Sequence, residues 1–337
     1  MDTPTKIGQG KSIFLVMPNH VNFYDTFVHQ IEQMGFTVTL LKTPKFKYKN
    51  ILEKSLNFFK KNVMQDKSYK ESMVKQETKQ ILSDITKNLT KRIDYALFIR
   101  ADLFEDEIIE TVKKHCNIMI NYQWDGMDRF PEIFNKIHFF DKFFVFDKND
   151  IEKYPEYNFH LSNNFYFDLA TDISNDGNAY FLGAHMTERV STVINFLDAA
   201  QAINLNTNFY IGNARQSKRR SLYQGRDIVF LSEDMSYHDN LQKAKNCYIL
   251  VDFVIGEHSG LSFRSFESIA YKKKLITTNS EVLNYDFYHP NNIFIWDGKT
   301  INHESLKDFL KKPYYDIDDN IRNKYSFENW LNNILEI

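Results

Sequence analysis

The sequence predicts an α/β protein built from two doubly wound, Rossmann-like domains that face a cleft. Three observations carry this. Short apolar runs of strand length alternate with helical patterns along nearly all 337 residues, which favours parallel sheets covered on both faces. The length suits two ordinary domains better than one core. A polar stretch, Ala170 to Gly177, separates two such series and is the natural linker. The expected domains are residues 1–170 and 171–321, with a final helix over about 322–337 returning to the first.

The strand candidates of the first series are Ile13–Met17, Thr37–Leu41, Tyr95–Ile99, Asn117–Asn121 and Lys142–Phe146. Those of the second are Ala179–Leu182, Thr207–Ile211, Ile228–Leu231, Cys247–Val251, Leu275–Thr278 and Ile293–Trp296. In open sheets of this kind ligands lie beyond the carboxyl ends of the strands. Between the second and third strands, Lys47–Arg92 reads as one or two inserted helices. Ten lysines fall between Lys42 and Lys75, interleaved with Phe46, Tyr48, Leu52, Leu56, Phe58 and Phe59. That face suits either an anionic membrane surface or plain solvent over the sheet. At the end of the chain, Phe327, Trp330, Leu331 and Ile334 recur at helical spacing.

Composition narrows the function classes. A net charge of −2 offers no general basic field for nucleic acid. The 30 Phe and 19 Tyr, against 11 Gly and 7 Pro, exclude a disordered or fibrous chain. Cys116 and Cys247 sit in apolar runs and read as buried thiols of a reducing compartment. No run has the length or polarity of a signal peptide or a membrane span, so a cytoplasmic location is expected, with peripheral contact to an inner membrane through Lys42–Lys75. The ten histidines are scattered, with no triplet typical of a divalent-ion site, so no metal cofactor is expected. Gly8 to Ser12 imitates a phosphate loop, but the required first glycine is Thr5 and the strand follows rather than precedes it.

The richest segment runs from Ser259 to Thr278. Ser259, Gly260 and Leu261 lead into a short helix whose free amides and positive dipole end suit a diphosphate. Arg264 and Glu267, three apart, share a helix face. The guanidinium suits phosphate oxygens and the carboxylate suits ribose hydroxyls. The alternative for Glu267 is a capping or surface carboxylate.

Other candidates follow strands. His20, after the first strand, reads as a base near neutral pH or as a turn residue without a special role. Asp102 follows the third strand. Trp124, Asp125 and Arg129 follow the fourth, and an aromatic face beside carboxylates suits a sugar. The structural alternative is that Asp125 caps the helix near Pro131 while Arg129 pairs with it. His185 and Arg189 follow the first strand of the second series, where Arg189 could instead pair with Glu188 or Asp198. Asn213 and Arg215 hold a comparable position, and Lys218–Arg220 reads as a solvated basic turn.

The segment Ser-Gly-Leu-Ser-x-Arg-x-x-Glu, followed by Lys-Lys-Leu-Ile-Thr-Thr-Asn, resembles the donor site of bacterial two-domain (GT-B fold) glycosyltransferases. Those of lipopolysaccharide and capsule assembly are the nearest in kind. Tyr122-x-Trp-Asp-x-x-x-Arg129, Phe140-Asp-Lys-x-Phe-x-Phe-Asp147 and Phe181-Leu-Gly-x-x-x-x-x-Arg189 extend the resemblance over roughly residues 95–290. It implies transfer of a sugar from a nucleotide-sugar donor to a growing surface glycan without a metal. Arg189 then faces the donor phosphates, and the acceptor enters near His20, Asp102 and Asp125. Retaining members of the family carry a second acid where this chain has Ser259, so stereochemistry stays open. A nucleotide-sugar epimerase of the same fold and a non-catalytic sugar-binding protein are the alternatives.

Overall fold

The structure is a computed structural model that describes residues 6–45, 69–168, 173–214, 216–254, 256 and 259–337. The chain divides into two compact units. One comprises Met1–Val145, Tyr154–His160 and Ile337; the other comprises Phe146–Lys153 and Leu161–Glu336. Most of the lysine-rich stretch, residues 46–68, lies outside the described residues. Of its flanks, Lys42 sits 3.6 Å from the centre of the Tyr24 ring, and Lys75 pairs with Glu71 and Glu105.

The first sheet holds β1 (Ser12–Met17), β2 (Thr37–Lys42), β3 (Ile93–Ile99), β4 (Cys116–Gln123), β5 (Lys142–Val145) and β6 (His160–Leu161), in the order β2-β1-β3-β4-β5-β6. Strands β1 to β5 pair in parallel. Both faces of β1 are covered, and all six of its residues are buried, which is why it reads as an unbroken apolar run. The chief helices of this unit are α1 (Phe23–Gln33), α2 (Tyr69–Lys87) and α3 (Asp106–His115). The order reverses between β1 and β3, so the loops after those strands are where a ligand is expected.

The second sheet holds β7 (Ala179–Ala184), β8 (Thr207–Gly212), β9 (Val229–Phe230), β10 (Ile249–Asp252), β11 (Lys274–Thr277) and β12 (Ile293–Ile295). Its order, β12-β11-β10-β7-β8-β9, is that of a dinucleotide-binding sheet, and every pairing is parallel. Here the reversal falls between β7 and β10. Alternation along each strand divides the core in two. Ala179, Phe181, Ile249, Val251 and Ile276 enter one cluster, while Tyr180, Leu250 and Leu275 enter the other. Around this sheet lie α4 (Lys148–Lys153), α5 (Val190–Ala202), α6 (Ser217–Ser221), α7 (Tyr237–Asn246), α8 (Phe263–Ala270), α9 (His303–Lys311), α10 (Asp319–Lys324) and α11 (Phe327–Leu335). Within this unit Phe327 and Trp330 of α11 pack on Phe165, and Phe327 also on Phe167.

Candidate functional site

In the first unit, both loops at the reversal carry backbone outside the ordinary regions. After β1, Val21 and Asn22 have φ of 45° and 60°. A β-branched residue with positive φ is a true outlier, and such strain gathers at functional loops. The turn is closed by the Phe23 amide donating to the His20 carbonyl at 2.9 Å, which leaves His20 exposed. After β3, Arg100 has φ of 64°.

Arg100 organises the acids expected on this rim. Its guanidinium donates twice to Asp102, at 2.7 and 2.6 Å, and once to Asp125, whose other oxygen accepts from Arg129 at 3.1 Å. It also lies over the Phe130 ring, 3.7 Å from its centre. Burial works against the charge of Arg100, but the Asp102 and Asp125 carboxylates outweigh it and raise the proton affinity. Gln123 adds a hydrogen bond to Asp102 at 3.1 Å. Asp125 therefore pairs with arginines rather than capping the helical turn at Pro131, whose N-cap is Phe130. Trp124 is half-buried and meets Phe23 edge to face. Arg100 lies two residues before Asp102 in the sequence, and only the fold shows it holding both acids.

In the second unit, the loops after β7 and β8 bring His185, Arg189, Arg219 and Tyr223 together. Arg189 folds back to donate to the Ala184 carbonyl, passing Gly183, where a Cβ would lie 2.6 Å from the guanidinium. Arg219 and Arg220 donate to the carbonyls of Asn213 and Ala214, at 2.7 and 2.9 Å. Those bonds aim the basic helix α6 back at the end of β8 and not simply into solvent. His185 meets the Tyr223 hydroxyl at 3.0 Å. Its pKa is lowered first by burial, then by Arg219 and Arg189, so the imidazole registers a cationic field. Asp198, the alternative partner for Arg189, is held by Arg226 at 2.8 and 2.9 Å. Arg215 lies outside the described residues, as do Glu257 and His258.

The segment expected to seat a diphosphate carries its own anion. The Ser259 amide and hydroxyl each donate to Asp147 at 2.7 Å, and Asp147 is buried. Gly260 lies against Phe146: a Cβ there would stand 2.5 Å from the ring and 2.9 Å from the Phe146 carbonyl oxygen. Leu261 is a core residue, and its carbonyl accepts from Asn164 at 2.9 Å. Ser262 caps α8 by accepting from the Arg264 amide at 3.2 Å.

Arg264 and Glu267 face one another and not outward. Glu267 is 1 % exposed and its carboxylate accepts from Arg264 and, at 3.3 Å, from Tyr237. The remaining arm of Arg264 reaches Asn240, which also accepts from Tyr180 at 2.7 Å. Burial opposes the Arg264 charge, but Glu267 more than offsets that and the guanidinium stays protonated. Tyr237 and Asn240 belong to α7, which the sequence reading did not connect with this segment.

Among the described residues no group of three or more His, Cys, Asp or Glu is placed to hold a metal ion, and no helix is long and apolar enough to cross a membrane.

No family profile and no curated protein matches the chain. Its fold is shared with solved structures. A structure of S. aureus MnaA with UDP superposes with a TM-score of 0.51 at 11 % identity, covering 97 % of this chain and 97 % of that one. An α-glucosyltransferase bound to UDP and a mismatched 13-mer DNA gives 0.49 at 11 %, over 96 % and 93 %. The UDP-GlcNAc 2-epimerase of Methanocaldococcus jannaschii, with UDP-GlcNAc and UDP, gives 0.48 at 12 %, over 93 % and 98 %. The chain has the two-domain GT-B architecture.

Proposed function

We propose that this chain is a glycosyltransferase that moves a sugar from a nucleotide donor onto a growing cell-surface glycan, of the lipopolysaccharide, O-antigen or capsule kind, without a metal. The observation that carries the reading is the convergence of Arg189 and Arg219 on His185 at the carboxyl ends of β7 and β8. Cations at that edge of a dinucleotide-type sheet suit the diphosphate of a nucleotide-sugar, and they stabilise it as it leaves. The UDP held by the S. aureus protein of similar fold supports the same kind of ligand. In this reading Ser259, Gly260, Leu261, Arg264 and Glu267 form the wall behind the nucleotide, set by Asp147 and α7.

On the first unit His20, exposed on its strained turn, is the proposed base toward the acceptor hydroxyl. Asp102 and Asp125, neutralised by Arg100 and Arg129, hold the rim around Trp124. The acceptor is a glycan or a lipid-linked glycan, with the lysine-rich stretch against an anionic inner membrane.

A second reading, a nucleotide-sugar epimerase, draws on the same ion pairs, because acids so committed are not spread as an open acceptor surface. Calorimetry with UDP, GDP and CMP tests the donor seat. One nucleotide should stabilise the protein by about 2.7 kcal/mol at a hundredfold excess over Kd. Arg189→Ala and Arg219→Ala should lose that stabilisation while still folding. Absence of any shift rejects the seat. Isomerised donor formed without an acceptor decides for the epimerase.

A further inference from the structure

At the opposite, amino edge of the second sheet lies a cavity of about 540 Å³ that the proposed reaction does not use. It is bounded by the chain entering β7, β10 and β11 and by the end of α9. Five lysines line it: Lys272, Lys273, Lys274, Lys311 and Lys312. Two of them are answered, Lys272 by Asp316 at 2.6 Å and Lys311 by Asp308 at 3.5 Å. Among the described residues the other three form no ion pair.

Lys273 and Lys274 are also buried, 5 % and 2 % exposed. Lys273 donates to the Ser174 carbonyl, and Lys274 to the carbonyls of Asn291 and Phe309, at 2.7 and 2.9 Å. An ammonium has three donors, so both retain capacity. Burial, and then the nearby charge of Lys312, hold the Lys274 pKa down to about 8. The Tyr314 hydroxyl on the same wall is buried and, among the described residues, has no hydrogen-bond partner.

The plainest account of these groups is that lysines neutralise the negative end of α9. It explains Lys274, which bonds a carbonyl of the last turn. Lys273 is met by the Ser174 carbonyl and by the charge of Asp176. The repulsion between Lys274 and Lys312 and the Tyr314 hydroxyl are left without a reason. One dianion answers both. A phosphate ester carries about −1.5 to −2 at pH 7 and several acceptor oxygens. The volume falls within the roughly 300–1,000 Å³ of small-ligand sites, which leaves room for a body beyond the phosphate.

We propose that this cavity is a second binding site, for the phosphate group of a phosphorylated ligand, held by Lys273, Lys274 and Lys312 with Tyr314 donating its hydroxyl. The site is separate from the donor seat and does not depend on it.

Amine acetylation of the full chain, read peptide by peptide, tests the assignment. Pyrophosphate at about ten times its Kd should slow acetylation of Lys312 about tenfold. Acetylation of Lys299, exposed elsewhere on the same unit, should not change. Tyr314→Phe removes only an unpartnered hydroxyl, so it should fold normally and require several-fold more pyrophosphate, whereas Arg219→Ala should leave the protection intact. A parallel arm uses vesicles of phosphatidylcholine with phosphatidic acid. Protection by vesicles but not by pyrophosphate assigns the phosphate to a lipid headgroup; the reverse assigns a soluble ester. Protection by neither probe, equal protection at Lys299, or an unchanged requirement in Tyr314→Phe overturns the proposal.

Discussion

Asp147 accepts both the backbone amide and the hydroxyl of Ser259, each at 2.7 Å, across 112 residues of sequence. A loop that looks like an anion seat thus already has a carboxylate in it. Hydrogen bonds to a charged group are worth about 1.5–3 kcal/mol, so Asp147→Ala, which removes both, should cost about 3–6 kcal/mol. Ser259→Ala, which removes only the hydroxyl bond, should cost about 1.5–3 kcal/mol. Urea unfolding of the two variants measures both. Equal stability of Asp147→Ala and the parent would show that the bond does not hold the loop.

Glu267 and Arg264 form a buried pair, and removing one partner strands the other. We expect Glu267→Leu to lose about 3–5 kcal/mol, and the double variant Arg264→Met/Glu267→Leu to lose less than the sum of Arg264→Met and Glu267→Leu. A double-mutant cycle by chemical denaturation reads this directly. It also means that lost activity in a Glu267 variant reports on folding as much as on the proposed nucleotide binding.

Gly260 faces the Phe146 ring and its carbonyl. Gly260→Ala should destabilise by about 1–3 kcal/mol through overpacking. Adding Phe146→Leu should recover only part, since the carbonyl oxygen, 2.9 Å from the added Cβ, remains. Thermal melts of the single and double variants provide the comparison.

His185 has a lowered pKa, so the folded protein holds its proton less readily than the unfolded chain does. The sign follows: the unfolded state binds more protons below the ordinary value of 6.5. His185 should therefore make stability fall as pH drops from 6.5 to the folded pKa, and contribute no further change below it. His185→Gln should flatten that portion of the pH profile. A nucleotide diphosphate beside Arg189 and Arg219 should raise the His185 pKa, visible as an upfield-to-downfield change of its imidazole NMR titration to higher pH.

The strands were legible because covered parallel strands are unbroken apolar runs, as Ile13–Met17 and Cys247–Val251 illustrate. The exposed two-residue strand His160–Leu161 has no such run and was not legible. In the candidate site, local relations came through. His185 and Arg189 share one loop, and Arg264 and Glu267 share one helix face. What spacing could not reveal was direction. Burial of Glu267 depends on Tyr237, 30 residues earlier, and the engagement of Ser259 depends on Asp147. Arg100, two residues before Asp102, was not singled out from the sequence, and its grip on Asp125 comes from the pairing of β3 with β4.

The placement of Phe146–Lys153 in the second unit bears on how this protein can be dissected. A fragment cut at the polar stretch after Asp168 would begin downstream of Asp147 and Phe146. It would carry Ser259 without its acceptor and Gly260 without the ring it was shaped to meet. A separately expressed second half must therefore be a graft, with the 146–153 octapeptide supplied in trans or spliced ahead of Leu161, and a simple truncation would misreport the stability of the Ser259–Leu261 loop.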